Sequence, residues 1–229
     1  MEFLPGGYTL EIPAGVFPLS TDSMALADFV RLPRCARVLD LGSGCGTLGL
    51  LLCAGDSACH VTGIELDSSA HDAAVENIRR NHLEPRMESI CADLRTISRQ
   101  FTPGSFSCIV SNPPYFSGGA LSQSLKNARQ ENTCTLDDLI RNAGHALKYG
   151  GDFFIVHKPE RLAEIIAKAS RNGMEAKRLR LLHHREGGPV TLILLQLRKG
   201  GKPGLILEEN SLFDSSGGQT AYYRQVYHL

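Results

Sequence analysis

No two of the seven cysteines in this 229-residue chain stand as C-x-x-C, and none combines with the eight histidines into a zinc-binding set. A structural metal and a redox dithiol are therefore not expected, and an odd thiol count argues against a disulfide framework. A reducing cytoplasm fits. Cys35, Cys53, Cys59, Cys91 and Cys108 lie in apolar surroundings and read as small core residues. Cys45 lies in a glycine-rich loop, where close backbone packing accounts for it. The N-terminus lacks a basic segment followed by a hydrophobic run, no apolar stretch is long enough to span a membrane, and no repeat or low-complexity tract is visible. Net charge is missing too: 24 Lys and Arg balance 24 Asp and Glu. The chain as a whole thus carries no electrostatic footprint of a nucleic-acid binder, which leaves room only for a local basic face. The best candidate is Lys177, Arg178 and Arg180 with His183, His184 and Arg185, a set that reads equally as a solvated edge strand.

What is there is more specific. The apolar run Phe106–Ser111 leads straight into Asn112-Pro113-Pro114-Tyr115. Proline fixes its own φ and drives the preceding residue extended, so this strand end has one rigid shape. Neither proline has an N–H. The edge therefore presents mainly acceptors, the Asn112 side-chain oxygen and the backbone carbonyls. It suits a substrate offering two N–H donors on one planar nitrogen, with Tyr115 placed to stack on the attached flat group. A proline-rich turn leaving a strand would look the same in isolation.

A second motif lies upstream. Val38 to Leu41 is a short apolar strand containing Asp40, and it ends in Gly42-Ser43-Gly44-Cys45-Gly46 before a helix-like stretch from Thr47 to Ala54. Glycine admits positive φ and removes Cβ, so a ligand can lie against the backbone. The next apolar stretch ends in Glu65, whose carboxylate can accept both ribose hydroxyls of an adenosine group, and a later one ends in Asp93. Together these describe a nucleoside pocket across the carboxyl ends of parallel strands. The glycines also match G-x-G-x-x-G with Glu65 at the expected downstream distance, so a nicotinamide-dependent enzyme is a rival on that motif alone. Asp40 and Gly42 extend the pattern backwards to Asp-x-Gly-x-Gly-x-Gly, which counts against it.

The combination resembles the class I S-adenosylmethionine-dependent methyltransferases, in the group that methylates planar amino groups through Asn-Pro-Pro-Tyr. The resemblance covers nearly the whole chain. Gly7-Tyr8-Thr9-Leu10, the stretch from Phe17 to Leu26, Ala128-Arg129, Cys134 to Leu139 and Thr220-Ala221-Tyr222-Tyr223 are similar to the bacterial adenine-N6 methyltransferases of valine tRNA. It implies S-adenosyl-L-methionine as cofactor, held by Thr21, Asp22, Asp40, Gly42, Ser43, Gly44, Gly46, Glu65, Leu66, Asp93, Leu94 and Asn112. Catalysis would fall to Asn112, Pro113 and Tyr115, with no metal. Pro114, Tyr115, Phe116, Arg129, Lys177, Arg178 and Arg180 are expected to bind the RNA substrate. The alternative is a glutamine-amide methyltransferase of the release-factor type, since that amide is likewise a planar NH2. Those enzymes carry a helical domain before the core, and here only about 35 residues precede the first core strand, too few for one. An interaction module without catalysis is a third reading, disfavoured by the intact loop and acceptor edge.

The expected fold is α/β, a Rossmann-like and mostly parallel twisted sheet with helices on both faces and an antiparallel pair, 175–183 and 190–198, at its edge. We expect one domain: an N-terminal hairpin and helix cover over 1–33, a core over 34–199 and a C-terminal extension over 200–229. Helices are expected over 23–30, 68–81, from Thr135 to about Leu147, and from Pro159 to Asn172, with Tyr149-Gly150-Gly151 as a turn. Residues 117–132 form the longest polar segment and are expected to close over an extruded adenosine. Tyr222, Tyr223 and Tyr227 read as packing for the C-terminus.

Overall fold

The computed structural model describes residues 1–113 and 134–229. Gly6 and Gly7 adopt positive φ, which lets the chain turn back so that β1 (Glu2–Phe3) pairs antiparallel with β2 (Thr9–Leu10). This ribbon is the N-terminal hairpin expected from the sequence. Ser20 then caps α1 (Thr21–Phe29) by accepting from the Ser23 amide. The cap therefore lies two positions before Asp22, which sits in the first turn. Ser23, Met24, Ala25, Leu26 and Phe29 are all buried, so α1 is enclosed on most sides.

The alternating core follows in the expected order: β3 (Arg37–Leu41), α2 (Thr47–Gly55), β4 (His60–Glu65), α3 (Ser68–Arg80), β5 (Met87–Cys91), the short α4 (Ile97–Gln100) and β6 (Phe106–Ser111). Beyond β6 come α5 (Leu136–Ala146), β7 (Leu147–His157), α6 (Leu162–Arg171), β8 (Met174–Arg185) and β9 (Val190–Lys199). Local chemistry sets many of these boundaries. Asp67 caps α3 through the Ser69 and Ala70 amides, and Thr135 and Asp138 form a reciprocal capping box at α5. Gly173 follows α6 at positive φ, as the stop expected there.

The main sheet has eight strands in the order β10-β8-β9-β7-β6-β3-β4-β5, with β10 spanning Ile206–Phe213. β3, β4, β5, β6 and β7 run parallel; β9 is antiparallel to both β7 and β8. Alternation along each strand feeds two apolar layers. Val38, Cys108 and Val110 pack on the face covered by α1, α2 and the C-terminal α7 (Ala221–Tyr227), while Leu39, Leu41 and Ile109 pack on the face of α5 and α6. The order reverses between β3 and β6, which creates a crevice at their carboxyl ends.

Three expectations need correction. β8 is not an edge strand: β10 pairs parallel to it and takes the edge. The turn at Tyr149 to Gly151 is absorbed into β7, whose pairing with β6 jumps from Phe106–Leu147 to Cys108–Asp152, so the extra residues bulge out of the ladder. Cys35 and Cys91 are exposed, because both sit at strand margins, whereas Cys45, Cys53, Cys59 and Cys108 are buried. Among the described residues no helix is long and apolar enough to cross a membrane, and no cluster of His, Cys, Asp and Glu could hold a metal ion.

Candidate active site

Asp40 and the glycine loop after β3, and Asn112 with Pro113 after β6, lie at the crevice where the strand order reverses. Gly42, Gly44 and Gly46 all have positive φ, at 74°, 55° and 87°. A Cβ added at Gly42 or Gly44 would meet no heavy atom of the described residues within 4 Å, so their lack of a side chain leaves space above the loop. The loop is fixed from below, where the Gly42 and Ser43 amides donate to the Ile64 carbonyl. Gly63 is required for the same reason: a Cβ there would lie 2.7 Å from Ser43 Oγ.

Glu65 ends β4 and is buried. Its Oε2 accepts from the Gly44 amide and its Oε1 from the Asp67 amide, both at 2.8 Å. The carboxylate thus braces the loop, with lone pairs left for a ligand hydroxyl. Leu66 beside it is half-exposed, and Leu94 is half-buried. Asp93 has an internal partner. Its carboxylate turns back on Arg95, accepting from both backbone and guanidinium, and the Arg95 side chain holds it below the usual carboxylate range.

Asp40 is strongly perturbed. It is 1% exposed, and neither carboxyl oxygen has a hydrogen-bond partner among the described residues. Burial, then the charge of Glu65, pushes its pKa up to about 8. A folded pKa raised above the ordinary 3.8 costs stability as pH rises, because the unfolded chain gives up a proton that the folded chain keeps. The ligand-free protein should lose up to about 1.4 kcal/mol per pH unit from pH 4 toward pH 8 through this one group. Asp40→Asn should flatten that slope, and urea unfolding across the window checks it. Parallel slopes for the two proteins would show that Asp40 keeps its charge.

At the end of β6 the Ser111 hydroxyl donates to the Leu41 carbonyl at 2.7 Å, clamping this strand end to the start of the glycine loop. Asn112 follows, and its Nδ2 donates to Ser23 Oγ at 3.0 Å. Its Oδ1 accepts no hydrogen bond from a described residue, and Pro113 contributes a carbonyl and no N–H. Asp22 lies one position before Ser23; burial pushes its carboxyl up against the pull of Lys158. Thr21 meets the Tyr227 hydroxyl at 2.5 Å. The structure therefore brings Asp40, Gly42, Ser43, Gly44, Glu65, Asn112 and Pro113 to one crevice. Ser23 and Ser111 were missed, because both act through partners distant in sequence, 89 positions away for Ser23. Pro114, Tyr115, Phe116 and Arg129, with the segment 117–132, lie outside the described residues.

The basic strand has another role. Arg180, 6% exposed, pairs with Asp28 and Glu208 and donates to the Tyr222 hydroxyl. Arg178 pairs with Glu208 and lies 4.4 Å over the Phe29 ring, and Lys177 donates to the Lys202 carbonyl. These cations join α1, β8, β10 and α7; Arg178 and Arg180 do not form an open cationic face. His157 is likewise buried, where desolvation and then Arg161 push its imidazole down to about 4, so it is neutral. Tyr222 is buried, while Tyr223 and Tyr227 stack with centroids 4.5 Å apart, as packing for the C-terminus.

Comparison with known proteins agrees with this geometry. The chain is 33% identical over 80% of its length to the tRNA1(Val) (adenine(37)-N6)-methyltransferase of Dickeya chrysanthemi, covering 74% of that protein. It is 28% identical over 90% of its length to the enzyme of the same name from Photobacterium profundum, covering 87% of it. Its fold is similar to the crystal structure of a predicted O-methyltransferase from Agrobacterium tumefaciens, with a TM-score of 0.72 at 22% identity, covering 90% of this chain and 95% of that one. The family model described as "Methyltransferase small domain" matches residues 9–176, well over half of the sequence, and the chain belongs to that methyltransferase family.

Proposed function

We propose that the chain transfers a methyl group from S-adenosylmethionine to an exocyclic amine, adenine N6 beside the anticodon of a tRNA. The observation that carries this reading is the Asn112 amide: Ser23 accepts from its Nδ2, its oxygen accepts nothing from a described residue, and the next residue is a proline with a carbonyl and no N–H. The relatives' named activity toward adenine N6 in tRNA supports the substrate.

The residues present fit the cofactor. Open space above Gly42 and Gly44 admits a ligand against the backbone, and the unpartnered Asp40 carboxyl is a ready acceptor for the ammonium of a methionine moiety. Glu65 would take ribose hydroxyls, Leu66 and Leu94 would flank the adenine, and Thr21, Asp22, Ser43, Gly46 and Asp93 would complete the pocket wall. The cofactor supplies a methyl carbon made electrophilic by a positive sulfur, so the protein needs neither a nucleophile of its own nor a metal to activate the carbon.

The chain's task is to prepare the amine. An exocyclic adenine nitrogen is a weak nucleophile because its lone pair is delocalised into the ring. Asn112 Oδ1 and the Pro113 carbonyl accept its two hydrogens, favour a tetrahedral nitrogen and aim the localised lone pair across the crevice. Tyr115 and Phe116 would stack on the base once it leaves its helix or loop. A tRNA substrate would place the reaction in the cytoplasm.

Labelled methyl transfer to total tRNA and to purified release factor tests the reading. Label should appear on tRNA and digest to N6-methyladenosine. Label on protein alone would favour the glutamine-amide alternative, and binding of NADH without S-adenosylhomocysteine would overturn the methyltransferase reading of the pocket.

A further inference from the structure

A loop rich in glycine has peptide planes that can turn over. Between Cys45 and Gly46 the cost is small, because Gly46, at φ 87°, accepts φ of either sign. A turned plane would exchange a donor for an acceptor at that point of the loop. The plane is held at both ends. The Gly46 N–H donates to the Ser43 carbonyl at 2.9 Å, a bond inside the loop itself. The Cys45 carbonyl is held from outside, by Asn77 of α3, whose Nδ2 donates to it at 3.1 Å.

Asn77 is 1% exposed, and both ends of its amide are bonded. Its Oδ1 accepts from the Glu11 amide and its Nδ2 donates to the Glu11 carbonyl, both at 2.9 Å. A backbone N–H only donates and a carbonyl only accepts, so these partners admit one orientation of the side chain. One turn further along α3, Asn81 grips Thr9 in the same way, accepting from its N–H at 2.8 Å and donating to its carbonyl at 2.7 Å. The two asparagines differ in a third bond: Asn81 donates to the Asn77 carbonyl, whereas Asn77 reaches the glycine loop. We infer that Asn77 is a positioning residue for the cofactor, setting the Cys45–Gly46 peptide plane and tying it to the N-terminal segment. Residues 9–11 are then part of what keeps the loop in its binding shape. The inference rests on the reading of this loop as the one that receives S-adenosylmethionine.

A matched pair of variants separates this role from packing. Asn77→Ala removes three side-chain bonds, two to Glu11 and one to Cys45, and Asn81→Ala removes three, two to Thr9 and one to Asn77. Both should lower the melting temperature, and only Asn77→Ala should affect the cofactor. Calorimetry well below either melting temperature should find S-adenosylhomocysteine bound about five- to tenfold more weakly by Asn77→Ala, and less than about twofold more weakly by Asn81→Ala. With whichever of tRNA or release factor accepts label, KM for S-adenosylmethionine should rise by the same factor in Asn77→Ala while kcat at saturation changes less than about twofold. The wild type supplies a readout that needs no variant. Because coupling between two sites is reciprocal, saturating S-adenosylhomocysteine should slow hydrogen exchange at the Glu11 amide by at least about threefold and leave the amides of β10 unchanged. Equal loss of affinity in the two variants, no loss in Asn77→Ala, or slowing at Glu11 no greater than on β10 would make Asn77 a packing residue. Wild-type protein that binds no S-adenosylhomocysteine would instead overturn the reading of the loop as a cofactor site.

Discussion

Asn112→Ala should cut methyl transfer by about 100- to 1000-fold, or roughly 3–4 kcal/mol, while calorimetric affinity for S-adenosylhomocysteine stays close to that of the wild type. The size follows from what is removed. Pro113 has no N–H and the Asn112 oxygen accepts nothing from the described residues, so none of them competes with a substrate donor for it. Its value grows as the amine becomes tetrahedral and positively charged, which places the loss in kcat and kcat/KM together rather than in KM. Stability should change little, because Asn112 is only half-buried and, among the described residues, its side chain bonds Ser23 alone. Near-normal turnover would make the strand end a structural turn and return the chemistry to another part of the crevice.

The second large effect is on stability. Arg180→Ala should destabilise the protein by about 3–5 kcal/mol and lower its melting temperature by roughly 10 °C. Truncation leaves Asp28 and Glu208 without their shared cation and Tyr222 without its donor, all in a poorly hydrated space between two helices and two strands. The ring contacts go as well: the guanidinium lies 5.1 Å from both the Phe29 and the Tyr222 rings. Lys177→Ala, whose ammonium reaches a backbone carbonyl at the surface, should stay within about 0.5 kcal/mol of wild type. Thermal unfolding of the two variants side by side checks both statements. If Arg180→Ala melted normally and instead bound tRNA with a flatter salt dependence, the strand would be an RNA surface after all.

Contrasts between residues show what a sequence can reveal. The Thr135–Asp138 capping box and the Asp67 cap are legible because donor and acceptor stand within three positions of each other. The strand ends at Leu41, Glu65 and Ser111 are legible because apolar runs stop at residues whose chemistry suits a crevice. β10 was not, because Ile206–Phe213 has Glu208, Glu209 and Asn210 at its centre and alternates poorly. Its reason to be a strand lies in Arg178 and Arg180 across the ladder, a pairing that exists only once β8 is in place. The same limit hid the ion pairs of the basic strand. A cluster of Lys and Arg looks solvated until its acids arrive from 28 and 152 positions away. At the site, the motif residues declared themselves and their supports did not: nothing local ties Ser23 to Asn112 or Ser111 to Leu41.

The clamp on α1 also bears on how the protein breathes. α7 bonds this helix at both ends, across 206 positions at Thr21 and 197 at Asp28, beside the bonds that Arg178 and Arg180 make to its C-terminal end, so loss of α7 would loosen α1. Such a pair opens as one cooperative unit, and its amides should share a single hydrogen-exchange free energy below that of the central strands. Each opening carries Ser23 away from Asn112. Weakening the seat of the last helix, by Tyr227→Phe for instance, should therefore speed exchange at the α1 amides 206 positions away.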